Sequence, residues 1–342
     1  MPESRSLIER IWFGPTAADR AFRTVLLPAE SLYRIGVRAR SELYDRGVLR
    51  VRTPPVPALS IGNLSIGGTG KTPVAAWLAG RLRSAGARPA IVMRGYGEDE
   101  PLVHERLNPD VPVITAPDRL EGARRAAAGG ADCIVLDDAF QHRKIARTQD
   151  VVLVSADRWD GRTRLLPAGP WREPLWALRR STLVLVTRKG VPLSVARSVA
   201  EVVAGHTESL VAVAELALEG LRTDASSGAA PLAELDGTRV LAIAAVGDPL
   251  PFRRQLEALG AIVRTAFFPD HHRFSMNDAR RLASGATRGE RAICTLKDYV
   301  KLAPLWPRAV SSLWYVSQRV VPEFGEAAID HALDSVLRAR KT

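Results

Sequence analysis

Two hydrophobic rhythms divide the chain. Over residues 5–47, Phe22, Val25, Leu26, Ala29 and Tyr33 recur at helical spacing, interrupted at Pro28, while Arg20, Arg23, Arg34, Arg38, Arg40 and Arg46 supply a basic complement. This pattern predicts an amphipathic helical segment. After the proline-rich TPPVP at 53–57 the rhythm changes to short, continuous apolar runs separated by helical stretches. Runs at 58–62, 89–93, 132–136, 151–155 and 182–187 predict strands, and stretches near 71–86, 118–128 and 192–204 predict helices. Uninterrupted apolar strands alternating with helices imply a parallel sheet buried on both faces. A second strand-rich unit begins around 210, passes through a loop at 228–237, and continues with strands at 240–247, 261–268 and 291–296 and a helix at 250–259. WYVSQRVV, at 314–321, and a helix from about 325 close the chain. The expected organisation is an N-terminal helical segment over 1–50, an α/β core over 51–208, a second, smaller α/β domain over 209–303, and a C-terminal segment, 304–342, that returns to the core.

Composition narrows the class. The chain has 342 residues, 46% hydrophobic and 25% charged, which is globular, and no 18-residue uncharged apolar run that would span a bilayer. The short apolar patch near the start is interrupted by Glu9 and Arg10 and lacks the continuous core of a secretory signal, so a cytosolic protein is expected. Cys133 and Cys294 each sit in an apolar run, which fits buried reduced thiols rather than a disulfide framework or a zinc site. Forty-eight basic residues against 37 acidic ones leave a charge of +11, compatible with arginine-biased base composition or with an anionic partner such as a membrane surface, phosphate or nucleic acid. Only six of the cations are lysines, so a lysine at a motif position carries weight.

Lys71 is such a position. In GNLSIGGTGKTP a strand ends, a glycine-rich turn follows, and a helix opens at Lys71-Thr72. Gly67, Gly68 and Gly70 allow positive φ and close backbone approach, so that N–H groups of Ser65, Ile66, Gly67, Gly68, Thr69 and Gly70 can converge on phosphate oxygens at the helix start. Lys71 then reaches the β/γ-phosphates and Thr72 presents its hydroxyl to Mg²⁺. The first glycine of the usual pattern falls on Ser65, and Ile66 stands where deviant loops carry a lysine before the double glycine. A phosphate loop also needs acids for a metal, and LDDAFQH places Asp137 and Asp138 at the end of an apolar strand, beside the loop's crevice. Arg94, Asp99 and Glu100 in RGYGEDEP follow another strand at the same edge, where a carboxylate can take a proton from an alcohol or hold the metal. Arg172 and Glu173 sit between Pro170 and Pro174, and Asp270, His271 and His272 lie in the second unit.

The ordered set SIGNLSIGGTGKTP, RGYG with DEP, LDDAFQHRKIARTQDVVLV, LLPAGPWREP, LVTR, FPDHH and TLKDYVKL resembles the tetraacyldisaccharide 4′-kinase family from residue 7 to residue 302. The resemblance implies a P-loop NTPase-like fold and transfer of the γ-phosphate of ATP, with Mg²⁺, to the 4′-hydroxyl of a tetraacyldisaccharide 1-phosphate, giving lipid IVA. It also implies a peripheral location at the cytoplasmic face of the bacterial inner membrane, with the N-terminal helix at the lipid surface and no obligate protein partner. The family shares the missing first glycine. The chain departs from the pattern at Ala139, where a glycine is usual, and in the short spacing between RGYG and DEP. Combined with the residues, the resemblance gives an expected mechanism: Asp99 as general base supported by His271 (or His272), Lys71 on the transferring phosphoryl, and Thr72 and Asp137 on Mg²⁺ with Glu100 and Asp138 assisting. Gln141 and His142 are expected to orient that cluster. The competing classes are a nucleic-acid-binding P-loop ATPase and a soluble small-molecule kinase or ligase. Aromatics concentrated in the N-terminal helix and in isolated strands, not interleaved with arginine, argue against nucleic acid as a partner.

Overall fold

The continuous apolar runs become interior strands of one sheet. The computed structural model describes residues 7–95, 99–224, 228–247, 249–270, 272–286 and 289–340. In chain order these form α1 (Leu7–Phe13), α2 (Ala17–Val25), α3 (Leu27–Asp45), β1 (Ala58–Asn63), α4 (Lys71–Ser84), β2 (Pro89–Met93), α5 (Asp99–Leu107), β3 (Val113–Thr115), α6 (Arg119–Ala128), β4 (Cys133–Leu136), β5 (Gln149–Ser155), β6 (Leu183–Arg188) and α7 (Leu193–Ala204). There follow β7 (Leu210–Arg222), β8 (Ala229–Ala230), β9 (Arg239–Ala244), α8 (Leu250–Ala258), β10 (Ile262–Phe267), α9 (Met276–Gly285), β11 (Arg291–Thr295), α10 (Leu296–Leu302), β12 (Leu313–Phe324) and α11 (Glu326–Ala339). The strands lie in the order β10-β9-β11-β12-β7-β6-β5-β1-β4-β2-β3, with β8 on the side of β7.

Every pairing from β3 to β7 is parallel, and so is every pairing from β12 to β10. The two halves meet at the antiparallel pair β7–β12. The register at this junction positions the site. Leu210–Glu215 of β7 complete the first half beside β6, whereas Leu221 and Arg222, further along, oppose Val316 and Tyr315, the stretch of β12 that carries β11. The second half therefore starts beyond the carboxyl edge of the first and runs back toward it. The carboxyl ends of both parallel halves face each other, and α10, which follows β11, packs on α5, which follows β2.

Burial on both faces is visible residue by residue. Val151 and Leu153 of β5 join a cluster with Val74, Leu78 and Leu82 of α4 and Ile329, Leu333 and Val336 of α11. Val152 and Val154 face the other way, onto Val199 and Val203 of α7. Both cysteines are free and buried. The sequence pattern did not reveal α5, β3, α9 or α10. Three residues, none of them buried, are too few to show a period in β3, and charge rather than apolar spacing dominates the two helices α5 and α9.

The N-terminal segment is helical, but not as one helix. Residues 7–45 form three helices, with Pro28 in the first turn of α3, where its missing N–H costs nothing. Their amphipathicity is also inverted. Phe22, Val25, Leu32 and Ile35 are 58, 75, 72 and 63% exposed, while Asp19, Arg23, Glu30 and Ser41 are buried. Each buried polar group is paired: Arg23 donates to the carbonyls of Ile11 and Trp12, Asp19 caps with Thr16, and Glu30 takes Arg34, Arg164 and the Leu165 N–H. Arg143 bridges Ser41 and Asp45.

Gly62, near the end of β1, has no room for a side chain, because an added Cβ would lie 2.4 Å from the Cβ of fully buried Phe140. Gly62→Ala is expected to lower stability by about 1–3 kcal/mol, the usual scale for overpacking, read as a fall in Tm. An unchanged Tm would contradict the close packing of β1 on the loop after Asp138.

Candidate active site

Three strand ends supply the site. At the end of β1 the chain turns through Leu64–Gly70 into α4. Gly67 has φ +111° and Gly70, the residue before α4, φ +88°, so two of the three expected glycines use the left-handed region. The first intrahelical bond runs from the Val74 N–H to the Gly70 carbonyl, which leaves the Lys71 and Thr72 N–H groups without an intrahelical acceptor at the positive end of the helix. The loop is braced from several sides. Ile66 N–H donates to the Pro170 carbonyl and Arg172 N–H to that of Leu64, while Thr187 Oγ1 donates to the buried Thr69 carbonyl and Asn63 Nδ2 to Thr69 Oγ1. Lys189 Nζ reaches the Gly68 carbonyl at 3.4 Å.

At the end of β4, Asp137 is buried and Asp138 is exposed with φ +49°. The left-handed residue of this turn is Asp138, which short polar side chains tolerate. Ala139 keeps negative φ and is fully buried, so the alanine in place of the family's glycine fits without strain. Asp138 meets Arg172 at 3.0 Å and Lys71 at 3.9 Å. Partial loss of water around the Asp138 carboxyl raises it, but the two cations outweigh this and hold the group below its ordinary range. Burial also pulls Lys71 down, against the attraction of Asp138. Arg172 additionally donates to Asn63 Oδ1, so the turn between Pro170 and Pro174 ties the loop to the acid pair.

At the end of β2, Asp99 and Glu100 occupy the first turn of α5. Asp99 is buried and ion-paired with Lys297 and Lys301 of α10, at 3.8 and 3.7 Å. Glu100 is half-buried. Burial, and next the charge of Asp137, push its carboxyl up to about 7, while Lys297 and Lys71 pull the other way and Asp99 adds to the rise. Glu100 thus stands within electrostatic reach of the loop lysine, the acid strand, the expected base and a lysine of the second half.

Several residues depart from their expected roles. His271 lies outside the described residues, as do Tyr96, Gly97 and Glu98. His272 faces Asp278, 3.4 Å away, and stacks on Phe268, so its ring is engaged away from Asp99. Gln141 donates to the Asn63 carbonyl rather than to the acids. His142 is lowered to about 4 by burial and by Arg119 and Arg147, and its ring makes no hydrogen bond to either aspartate among the described residues. Arg94 is exposed beyond β2. Glu173 is buried against Arg180 at 2.5 Å, bracing the Arg172 turn. The groups that do orient the acids are His104, bonded to Asp137 at 2.8 Å, and Arg119, which reaches the Asp137 and Asp138 carbonyls. Spacing within DEPLVHER was the available signal, since Glu100 and His104 share a face once the segment is helical.

Among the described residues, no three ligating side chains converge on one point. Asp137 Oδ1 is nonetheless buried without a hydrogen-bond partner among the described residues, and Thr72 and Glu100 sit in the first turns of α4 and α5, which open at the same edge of the sheet. That donor set suits Mg²⁺, which takes one or two carboxylates and completes its shell with nucleotide oxygens and water.

Known proteins resemble the chain over most of its length. The sequence model of the tetraacyldisaccharide-1-P 4′-kinase family, LpxK, matches residues 22–338. A tetraacyldisaccharide 4′-kinase of Anaeromyxobacter sp. (strain Fw109-5) is 40% identical over 87% of this chain and 88% of its own, and that of Syntrophus aciditrophicus is 35% identical over 93% and 96%. The crystal structure of LpxK from Aquifex aeolicus in complex with ATP superposes with a TM-score of 0.73 at 28% identity, covering 93% of this chain and 99% of that one.

The raised Glu100 has a measurable consequence. Between its ordinary value of 4.5 and about 7, the folded protein holds a proton that the unfolded chain has released. This group's contribution therefore makes stability fall as pH rises through that window. In metal-free protein, Glu100→Gln should match wild type in Tm near pH 4.5 and exceed it increasingly up to pH 7. A Tm difference independent of pH would contradict the shift.

Proposed function

The chain belongs to the tetraacyldisaccharide 4′-kinase family, and from that premise we propose how its own residues carry the reaction. It is an ATP-dependent kinase that transfers the γ-phosphate to the 4′-hydroxyl of a tetraacyldisaccharide 1-phosphate, forming lipid IVA. The ion pairs of Lys71 with Asp138 and of Lys297 and Lys301 with Asp99 carry the assignment of roles, since they set the phosphate grip beside the acid pair and the base beside the second half, with Glu100 within electrostatic reach of both. The β- and γ-phosphates of ATP enter at the start of α4, where the Lys71 and Thr72 N–H groups are open, and Lys71 exchanges Asp138 for phosphate oxygens. Thr72 and Asp137 would hold Mg²⁺, with Glu100 and Asp138 close by. When bound, the metal offsets phosphate charge and orients the γ-phosphoryl for in-line attack.

Asp99 takes the proton of the 4′-hydroxyl as that oxygen bonds to the γ-phosphorus and the bond to ADP breaks. Lys297 and Lys301 keep the Asp99 carboxylate turned toward the gap between α5 and α10. His271 of FPDHH supports Asp99 as the first half of the sheet, through β7, and the second half, from β9 to β12, close on the substrate.

The acceptor's acyl chains keep it in a bilayer, at about 0.8 kcal/mol per buried CH₂, so the enzyme must meet it there. Among the described residues no helix is long and apolar enough to cross a membrane. The outward apolar side chains of α2 and α3, lying among arginines, instead suit peripheral docking at the cytoplasmic face of the inner membrane. A cleft lined by Tyr33, Arg40, Gln141, Arg143, Arg172 and Arg180 lies between α3 and the Asp138 partner Arg172, adjoining both the docking helices and the acid pair.

The reading is tested by phosphate transfer from labelled ATP to the tetraacylated disaccharide 1-phosphate, run beside a non-acylated sugar and a nucleic acid. Label is expected only in the lipid; equal labelling of the short sugar, or ATP hydrolysis stimulated by nucleic acid alone, would overturn it. Asp99→Ala should lower kcat by about 10²–10⁴ while ATP affinity holds; undiminished single-turnover transfer would remove Asp99 as the base. Replacing Phe22, Leu32 and Ile35 together by serine should weaken sedimentation with anionic vesicles by about tenfold or more at unchanged Tm. Equal sedimentation would refute the docking face.

A further inference from the structure

Helix α5 is fastened to the acid strand by a contact that lies in none of the motifs. His104 is fully buried, and its Nε2 lies 2.8 Å from Oδ2 of Asp137, itself buried at the end of β4. With its proton on Nε2 the ring donates to this carboxylate oxygen. The other oxygen of the same carboxylate, Oδ1, is buried without a hydrogen-bond partner among the described residues. A buried carboxylate oxygen left open is costly unless a ligand completes it. His104 also stands one turn beyond Glu100, on the same face of α5, so one helix face presents both a carboxyl group and the donor that holds Asp137.

We propose that His104 is a positioning residue of the phosphotransfer site: by engaging Oδ2 it aims Oδ1 of Asp137 at the divalent cation that accompanies the nucleotide. The same contact locks the end of α5 that bears Asp99 and Glu100 to the strand that bears the metal aspartate. This assignment rests on the kinase reading. A carboxylate with one oxygen tethered cannot rotate away from its ligand, and hydrogen bonds of this kind to a metal-binding side chain typically support affinity by 10- to 100-fold. A merely space-filling histidine would contribute packing and nothing to the cation.

Two amide variants separate these roles. Gln places its Nε2 near the position of the histidine Nε2 and can still donate to Asp137, whereas Asn is too short to reach. Mn²⁺ affinity in the presence of a non-hydrolysable ATP analogue, read by the electron paramagnetic resonance of free Mn²⁺, should fall about 10- to 100-fold in His104→Asn and stay within about threefold of wild type in His104→Gln. The Mg²⁺ concentration giving half-maximal activity should rise in parallel. His104→Met, similar in length but without a donor, gives a second reading should the Asn variant not fold, and is expected to lose Mn²⁺ affinity likewise. Wild-type Mn²⁺ affinity in the Asn or Met variant, whatever its Tm, would overturn the assignment. Failure of the wild-type protein itself to bind Mn²⁺ with the nucleotide would overturn the kinase reading together with it.

Discussion

Four carboxyl groups, Asp99, Glu100, Asp137 and Asp138, are gathered where β2 and β4 end, and their mutual repulsion is the constraint around which the site is arranged. Each is accommodated differently. Asp99 is set against two ammonium groups of α10, Asp138 against Arg172 and Lys71, and Asp137 against an imidazole donor, while Glu100 retains a proton up to about pH 7. Such an arrangement is poorly satisfied without further positive charge, and a nucleotide accompanied by Mg²⁺ brings the phosphates that Lys71 needs and the cation that the acids need. Lys71 stands beside the acid pair, 3.9 Å from Asp138.

The antiparallel junction of β7 with β12 makes this gathering possible. Two parallel half-sheets, each with its crevice at the carboxyl edge, are turned to face each other, so α5 from one and α10 from the other can share ion pairs. The arrangement lets a base on one half sit beside lysines from the other. The N-terminal helices close the same region from the side. Tyr33 donates to the Arg172 carbonyl and Arg40 to that of Gln141, so the helices that expose Phe22, Val25, Leu32 and Ile35 are fastened directly to the turns around the acid pair. An outward apolar surface and a surface that braces the turns around the acid pair are thus opposite sides of one element.

Much of the framework was legible in the sequence because its signals are local. The five continuous apolar runs before residue 190 marked their strands to within a residue or two, and the glycines ahead of Lys71 marked the loop, two of them by the positive φ that the structure shows. What was not legible depends on distance in space. The inverted face of α2 and α3 has the same periodicity as an ordinary amphipathic helix, and only the packing partners of Arg23 and Glu30 reveal which side turns inward. Lys297 and Lys301 stood within a motif without a role until α10 was placed against α5. His104 offered only its helical spacing from Glu100, and it acquires a role once Asp137, 33 residues later, is folded beneath it.

The crowding of acids makes a demand that can be weighed directly: binding of Mg²⁺ and ATP must relieve Glu100 of its proton. Calorimetry of this binding at pH 7, repeated in buffers of different ionisation enthalpy, counts the protons exchanged. With a carboxyl group near 7, wild type should release about half a proton more than Glu100→Gln. Equal proton exchange in the two proteins would contradict the view that these carboxylates form the cation-binding edge of a phosphotransfer site.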